Sequence, residues 1–130
     1  MRCLVDTSVF IATETGRWID EAKIPEEIAV SVVTLAELHV GVLAAPDLET
    51  RSRRMGTLDT AAALDHIGIS EAAARMWALM RLHLREAGRK VNGNDLWIAA
   101  TAASSGMPVV TQDSDFGPVE GIGGLQIIRV

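Results

Sequence analysis

One cysteine in 130 residues, Cys3, excludes a disulfide within the chain. It also fits a reducing compartment, so a cytoplasmic location is expected. Long apolar runs are missing too. The run from Leu96 to Ala103 contains Thr101 and falls well short of the roughly 18 residues of a membrane span, so no membrane role is expected. Asp6 interrupts the stretch after Arg2 where a secretory signal would need its apolar centre. No Gly-x-x-x-x-Gly-Lys-Ser/Thr loop occurs, which argues against a nucleotide triphosphatase. Gly121-Ile122-Gly123-Gly124 reads as a turn before a strand and lacks the strand–helix setting of a dinucleotide site. The three histidines, His39, His66 and His83, show no metal-binding spacing and read as surface or packing residues. Lysine is scarce: only Lys23 and Lys90 are present.

What is present is an apolar-rich chain, 48% hydrophobic, which excludes intrinsic disorder. Its length predicts one domain, residues 1–130. The net charge is −5 and unevenly spread, with −6 in residues 1–50, +4 in 51–90 and −3 in 91–130. A basic middle between acidic ends suits a surface that grips phosphates beside one that holds a cation.

Strands are expected at Arg2–Val5, Ile28–Val33, Leu64–Ile69, Pro108–Thr111 and Leu125–Val130. Between them, helices are expected from Val9, over Arg17–Lys23, from Thr34 to about Ala45, and from Asp47 to about Ala63 with Gly56 as a weak point. Two more are expected at Glu71–Ala87, between a Ser70 cap and Gly88, and at Asn94–Ser105. Strands alternating with helices predict an α/β fold with a mostly parallel sheet, whose functional groups gather beyond the carboxyl ends of the strands.

Acidic residues fall at those ends. Asp6 follows the first strand, Glu37 lies on the first turn after the second, Asp95 opens a helix, and Asp113 and Asp115 follow the strand ending at Thr111. Each also has a local explanation: Asp6 as a helix cap, Thr34-Leu35-Ala36-Glu37 as a capping box, Asp95 as a first-turn acid, and Asp113 and Asp115 as turn residues. Gathered at one sheet edge, such carboxylates repel one another unless a cation neutralises them. Mg²⁺, with Mn²⁺ as a substitute, is the hard cation for oxygen ligands. A cation held this way suits metal-dependent phosphoryl chemistry.

Four stretches, Leu4-Val5-Asp6-Thr7-Ser8, Glu37-Leu38-His39-Val40-Gly41, Asn94-Asp95-Leu96-Trp97-Ile98-Ala99-Ala100-Thr101-Ala102 and Val110-Thr111-Gln112-Asp113-Ser114-Asp115-Phe116, resemble the successive motifs of PIN-domain nucleases. The short single-domain form resembles the VapC-type toxins of toxin–antitoxin pairs. The resemblance implies a three-layer α/β/α sandwich on a parallel sheet of four or five strands. It also implies a Mg²⁺-dependent endoribonuclease that cleaves RNA and pairs with a cognate VapB-type antitoxin, with a homodimer expected. Asp6, Glu37 and Asp95 match the three metal-holding acids. Asp113 matches the fourth position, for which Asp115 competes. Thr7, Ser8 and Thr111 match hydroxyl positions near the acids.

On the Glu71 helix, Met76, Leu79, Met80 and Leu84, with Trp77 beside them, read as a core-facing stripe that also suits a dimer face. Arg81 and Arg85, followed by Arg89 and Lys90, form either a solvated face or a phosphate track toward the acids. Arg51, Arg53 and Arg54 suit contact with an antitoxin. Two other classes compete. A signalling receiver also builds a Mg²⁺ acid pocket, but it needs a lysine after a late strand, and neither Lys23 nor Lys90 is so placed. A catalytically silent Mg²⁺-binding interaction module would not need the intact acid set.

Overall fold

The strand pattern resolves into a single five-stranded sheet in the computed structural model, which describes residues 1–130. Strands β1 (Arg2–Val5), β2 (Glu27–Ser31), β3 (Asp65–Ile67), β4 (Val109–Thr111) and β5 (Ile127–Arg129) lie in the order β3-β2-β1-β4-β5. Every pairing is parallel, including Leu4 against Ala29 and Val5 against Val110. Five helices accompany it: α1 (Thr7–Thr15), α2 (Val32–Leu43), α3 (Leu48–Ala62), α4 (Glu71–Ala87) and α5 (Gly93–Ser104).

Side chains alternate across a strand, and the central strands are apolar on both faces, as a sheet covered on both sides requires. Leu4, Ala29 and Val109 face one core with Met80 and Leu84 of α4 and Leu96, Ile98 and Ala99 of α5. Cys3, Val5, Val30 and Val110 face the other, with Val9 and Phe10 of α1, Leu38 and Val42 of α2, and Leu58 and Ala61 of α3. Two helices on one face and three on the other make the expected α/β/α sandwich. Each fully buried Leu or Ile contributes about 1.5–3 kcal/mol to the two cores. No helix is long and apolar enough to cross a membrane.

Three local expectations are corrected. The second strand stops at Ser31, two residues early, because the Ser31 side chain accepts the Val33 N–H at 3.0 Å and caps α2 there. Val32 and Val33 are thus helical despite their β-branched side chains, and Thr34 and Glu37 lie inside the helix and form no capping box. The segment from Arg17 to Lys23 is not a helix; only Glu21–Lys23 forms a single 3-10 turn. Gly56 does not interrupt α3.

The strand order also defines a switch point. From β1 the chain moves outward through β2 and β3, then returns to place β4 on the other side of β1. Loops leaving β1 and β4 therefore diverge, opening a crevice beyond Val5 and Thr111, the place where α/β sheets hold ligands.

Candidate active site

Asp6 is the first residue beyond β1 and only 2% exposed. Its amide N–H donates to the Val110 carbonyl at 2.9 Å, which fixes it against β4. It caps α1, so its local reading holds, but the cap is a small part of its surroundings. One carboxylate oxygen, Oδ2, accepts from Ser8 Oγ at 2.7 Å, from Thr111 Oγ1 at 3.0 Å and from the Ser8 N–H at 3.4 Å. The other oxygen, Oδ1, is buried without any hydrogen-bond partner. Burial raises the Asp6 carboxyl above its usual range, and the Ser8 and Thr111 hydroxyls oppose that shift.

Glu37 projects from the second turn of α2. The Thr7 hydroxyl, at the start of α1, donates to its Oε1 at 2.7 Å and lies 2.9 Å from the buried Thr34 hydroxyl. The hydroxyls Thr7, Ser8 and Thr111 thus orient the two carboxylates Asp6 and Glu37. Thr111 does a second job: its Oγ1 accepts the Asp113 N–H at 3.0 Å, so one hydroxyl ties Asp6 to the loop that carries Asp113. Ser8 Oγ likewise accepts the Gln112 N–H at 3.0 Å.

Asp95 stands on the first turn of α5, whose cap is Asn92. Burial first, then the charges of Asp6, Glu37, Asp115 and Asp113, push its carboxyl up to about 7. Asp113 is raised by burial and by Asp6 and Asp115, while the Arg17 guanidinium pulls it down.

Asp6, Glu37, Asp95 and Asp113 line one hollow of about 310 Å³, with Arg17 and Asn92 at its edge and Ile11 its single apolar side chain. Asp115 stands outside it. That side chain borders an adjoining hollow with Arg89, Lys90 and Ser114, sharing Asn92 and Asp95 with the first. Of the basic residues on α4, Arg81 instead sits 6.0 Å from the Trp77 ring, and that ring stacks on Trp97 at 5.0 Å. Met80 and Leu84 of the apolar stripe are buried, whereas Leu79 is half exposed. On α3, Arg53 pairs with Glu14 at 3.6 Å and Arg54 donates to the Gly41 carbonyl at 2.7 Å, so both tie α3 to its neighbours. The three histidines are exposed, as expected. Sequence reasoning missed Arg17 and Asn92. The readable signals were Gly16 as a helix stop directly before Arg17, and Asn92 as a second cap candidate just before Asn94.

The donor set suits a hard divalent cation. A buried carboxylate oxygen without a partner, near an acid raised by burial and by the like charges around it, is what a positive charge would relieve. The side chains form no ready-made cage of three ligands. A cation here would therefore draw much of its coordination from water.

Residues 3–121 match the PIN domain family. Over 127 residues the chain is 55% identical to Ribonuclease VapC5 of Mycobacterium tuberculosis, covering 98% of this chain and 94% of that one. It is 45% identical to Ribonuclease VapC4 of the same organism over 115 residues, covering 88% of each. In three dimensions it matches the crystal structure of VapBC-5 from Mycobacterium tuberculosis, a member of the VapBC family of toxin-antitoxin systems. That match has a TM-score of 0.93 and 51% identity, and covers 99% of this chain and 98% of that chain. With its motifs in order along one parallel sheet and their acids gathered at the switch point, the chain belongs to the PIN domain family and, within it, to the VapC ribonucleases.

Proposed function

We propose that the chain is a Mg²⁺-dependent endoribonuclease and the toxin of a toxin–antitoxin pair. The observation that carries this reading is the hollow at the switch point, which four carboxylates line, with Asp6 keeping one buried oxygen, Oδ1, without a hydrogen-bond partner. Asp6 and Asp95 would hold the cation directly, with Glu37 and Asp113 placed for its waters. A bound Mg²⁺ supplies Lewis acidity toward a phosphate oxygen and a water of lowered pKa.

The rest of the chemistry belongs to the chain's own residues. Hydrolysis adds water across a P–O bond: the water oxygen bonds to phosphorus, its proton passes to a carboxylate, and the ribose oxygen leaves from the opposite side and takes up a proton to become a hydroxyl. Ser8, Thr111 and Thr7 keep Asp6 and Glu37 from turning away as charge shifts. Arg89 and Lys90, beside Asp95 and Asp115, offer the incoming backbone two positive charges that an acidic protein otherwise lacks there.

The partner in this reading is a VapB-type antitoxin, supported by the likeness to VapBC-5. It would lay an apolar segment beside the hollow and aim an Arg or Lys at the carboxylates. A homodimer is part of the same reading, with Leu79 and Leu82, each about half exposed on α4, available as apolar contacts. The test is cleavage-site mapping on total RNA with Mg²⁺, with EDTA, and with Asp6→Asn. Discrete cuts made only by the wild type with Mg²⁺ are expected. Equal cutting in EDTA would overturn the metal dependence, and equal cutting by Asp6→Asn would overturn the role of this site.

A further inference from the structure

Trp18 is 77% exposed, although tryptophan is a residue that folding normally covers. The other two tryptophans, Trp77 and Trp97, stack on each other and are partly buried. Trp18 lies next to Arg17, and Arg17 reaches the acidic hollow, lining it and opposing the rise that burial and its acidic neighbours give the Asp113 carboxyl. The two residues are held in place. Gly16 closes α1 at φ 74°, a left-handed conformation that glycine adopts without strain, and the Arg17 N–H returns to the Ala12 carbonyl at 2.9 Å. The Gln112 side chain donates to the Trp18 carbonyl at 3.4 Å and also to the Val130 carbonyl. Gln112 lies between Thr111 and Asp113, so the loop bearing Trp18 is tied to the loop bearing an acid of the site.

Three hollows then run in sequence. The one around Trp18 shares Arg17 with the acidic hollow, which in turn shares Asn92 and Asp95 with the one holding Arg89 and Lys90. The two outer hollows share no residue, so they lie at opposite ends of the run. A single strand laid along this path meets Arg17 and an aromatic face at the Trp18 end, where Asp20 and Glu21 also line the hollow, then the four carboxylates, then Arg89 and Lys90 beside Asp115. Proteins that take unpaired RNA stack its bases on exposed aromatic rings and hold its phosphates with arginine.

Resting on the ribonuclease reading, we infer that Arg17 and Trp18 form its nucleotide-recognition element: Trp18 stacks on a base beside the cleaved bond, Arg17 holds that nucleotide's phosphate, and the enzyme thereby selects unpaired RNA. A duplex, whose bases are already stacked, has no face to offer Trp18.

The experiment uses the full chain, a short single-stranded RNA of random sequence, and the same RNA annealed to its complement. Trp18→Ala is expected to raise KM about ten-fold with kcat within about two-fold, and Trp18→Phe to restore KM. Arg17→Gln is expected to raise KM less, about three-fold. Single-stranded RNA should quench tryptophan fluorescence in the wild type, and duplex should not. Trp18→Phe should abolish the quench while keeping KM, because Trp77 and Trp97 lie away from the path. If the wild type cleaves RNA while Trp18→Ala keeps its KM and its response to the duplex, the inference is overturned and the ribonuclease reading stands. If Trp18→Ala weakens only binding of the inhibitory partner protein, Trp18 is a protein contact and the inference also fails. If the wild type cuts no RNA, the ribonuclease reading fails, and the absence of a single-strand quench would then overturn the inference as well.

Discussion

The acidic hollow has two unlike sides. Asp6 and Glu37 are held by hydroxyls, with three hydrogen bonds on one Asp6 oxygen and one on Glu37. Asp95 and Asp113 line the same hollow with carboxyl groups that no protein hydrogen bond steadies and that burial and like charge push toward protonation. One side is fixed before anything binds. The other is held out of balance by charge and settles only when a cation or a proton arrives. In the proposed metal-dependent enzyme the fixed side would set where a cation sits, and the charged side the pH at which it binds.

The largest effect should come from removing charge on the unbalanced side. Asp95→Asn is expected to lower RNA cleavage at least about 100-fold, as loss of a group at a metal site does. Stability should move the other way. A carboxyl raised to about 7 keeps a proton in the folded state that the unfolded chain has already lost. Between the ordinary carboxylate range and about pH 7, stability therefore falls as pH rises, and above pH 7 the cost is complete. Solvent screening at this partly exposed group trims that cost to roughly 1–2 kcal/mol. Asp95→Asn should thus be more stable than wild type above pH 7, and less different below pH 5, by thermal unfolding in EDTA. Wild-type cleavage should rise through neutral pH. A lower melting temperature for Asp95→Asn at pH 8 would show that Asp95 stabilises the fold and that the two sides are alike.

Next in size is the fixed side. Thr111 is fully buried, and valine matches its shape without the hydroxyl. Thr111→Val frees Asp6 Oδ2 of one donor and leaves the Asp113 N–H without its acceptor. A 10- to 100-fold loss of cleavage is expected, as for other groups that orient metal-holding side chains. Thr111→Ser, which keeps the hydroxyl, should recover most of it. If Thr111→Val cleaves as wild type does, Asp6 is held by its backbone and Ser8 alone, and the contrast between the two sides weakens.

The sequence made the sheet legible for a physical reason. Cys3, Leu4 and Val5, like Val109 and Val110, are apolar at successive positions, and only a strand covered on both faces tolerates that. The acids were legible because carboxylates have few reasons to follow four separate elements at one sheet edge. Other features depend on contacts distant in sequence. Val32 and Val33 read as strand by their side chains, yet Ser31 ends β2 before them through its own hydroxyl. Thr7, Ser8 and Thr111 match hydroxyl positions near the acids, but which carboxylate each serves depends on the pairing of Val5 with Val110, which brings Ser8 and Thr111 to Asp6. Arg17 was read as part of a short helix, and its place at the hollow depends on the chain turning at Gly16 and crossing toward the β4 loop.

The smallest expected effect separates Asp113 from Asp115, the two candidates for the fourth acidic position. They lie two residues apart in a loop that turns after β4, so their side chains diverge. Asp113 is anchored through its N–H to Thr111 Oγ1 and faces the hollow with Asp6 and Asp95. Asp115 borders the neighbouring hollow beside Arg89 and Lys90, and its charge reaches Asp95 from outside. Burial and the charges of Asp6 and Asp115 raise the Asp113 carboxyl, and Arg17 opposes them in part. Asp113→Asn keeps one acceptor oxygen for a water but loses the charge, so a partial loss is expected. The Mg²⁺ concentration for half-maximal cleavage should rise about three- to ten-fold, as when a supporting group at a metal site is weakened. Asp115→Asn should leave that concentration nearly unchanged while it lowers KM for RNA slightly, since one negative charge leaves the path of the phosphates. A metal titration of the cleavage rate for both variants decides between them. Matching curves would reduce the site to Asp6, Glu37 and Asp95. A larger shift for Asp115→Asn would move the fourth acid to the Lys90 side, beside Asp95.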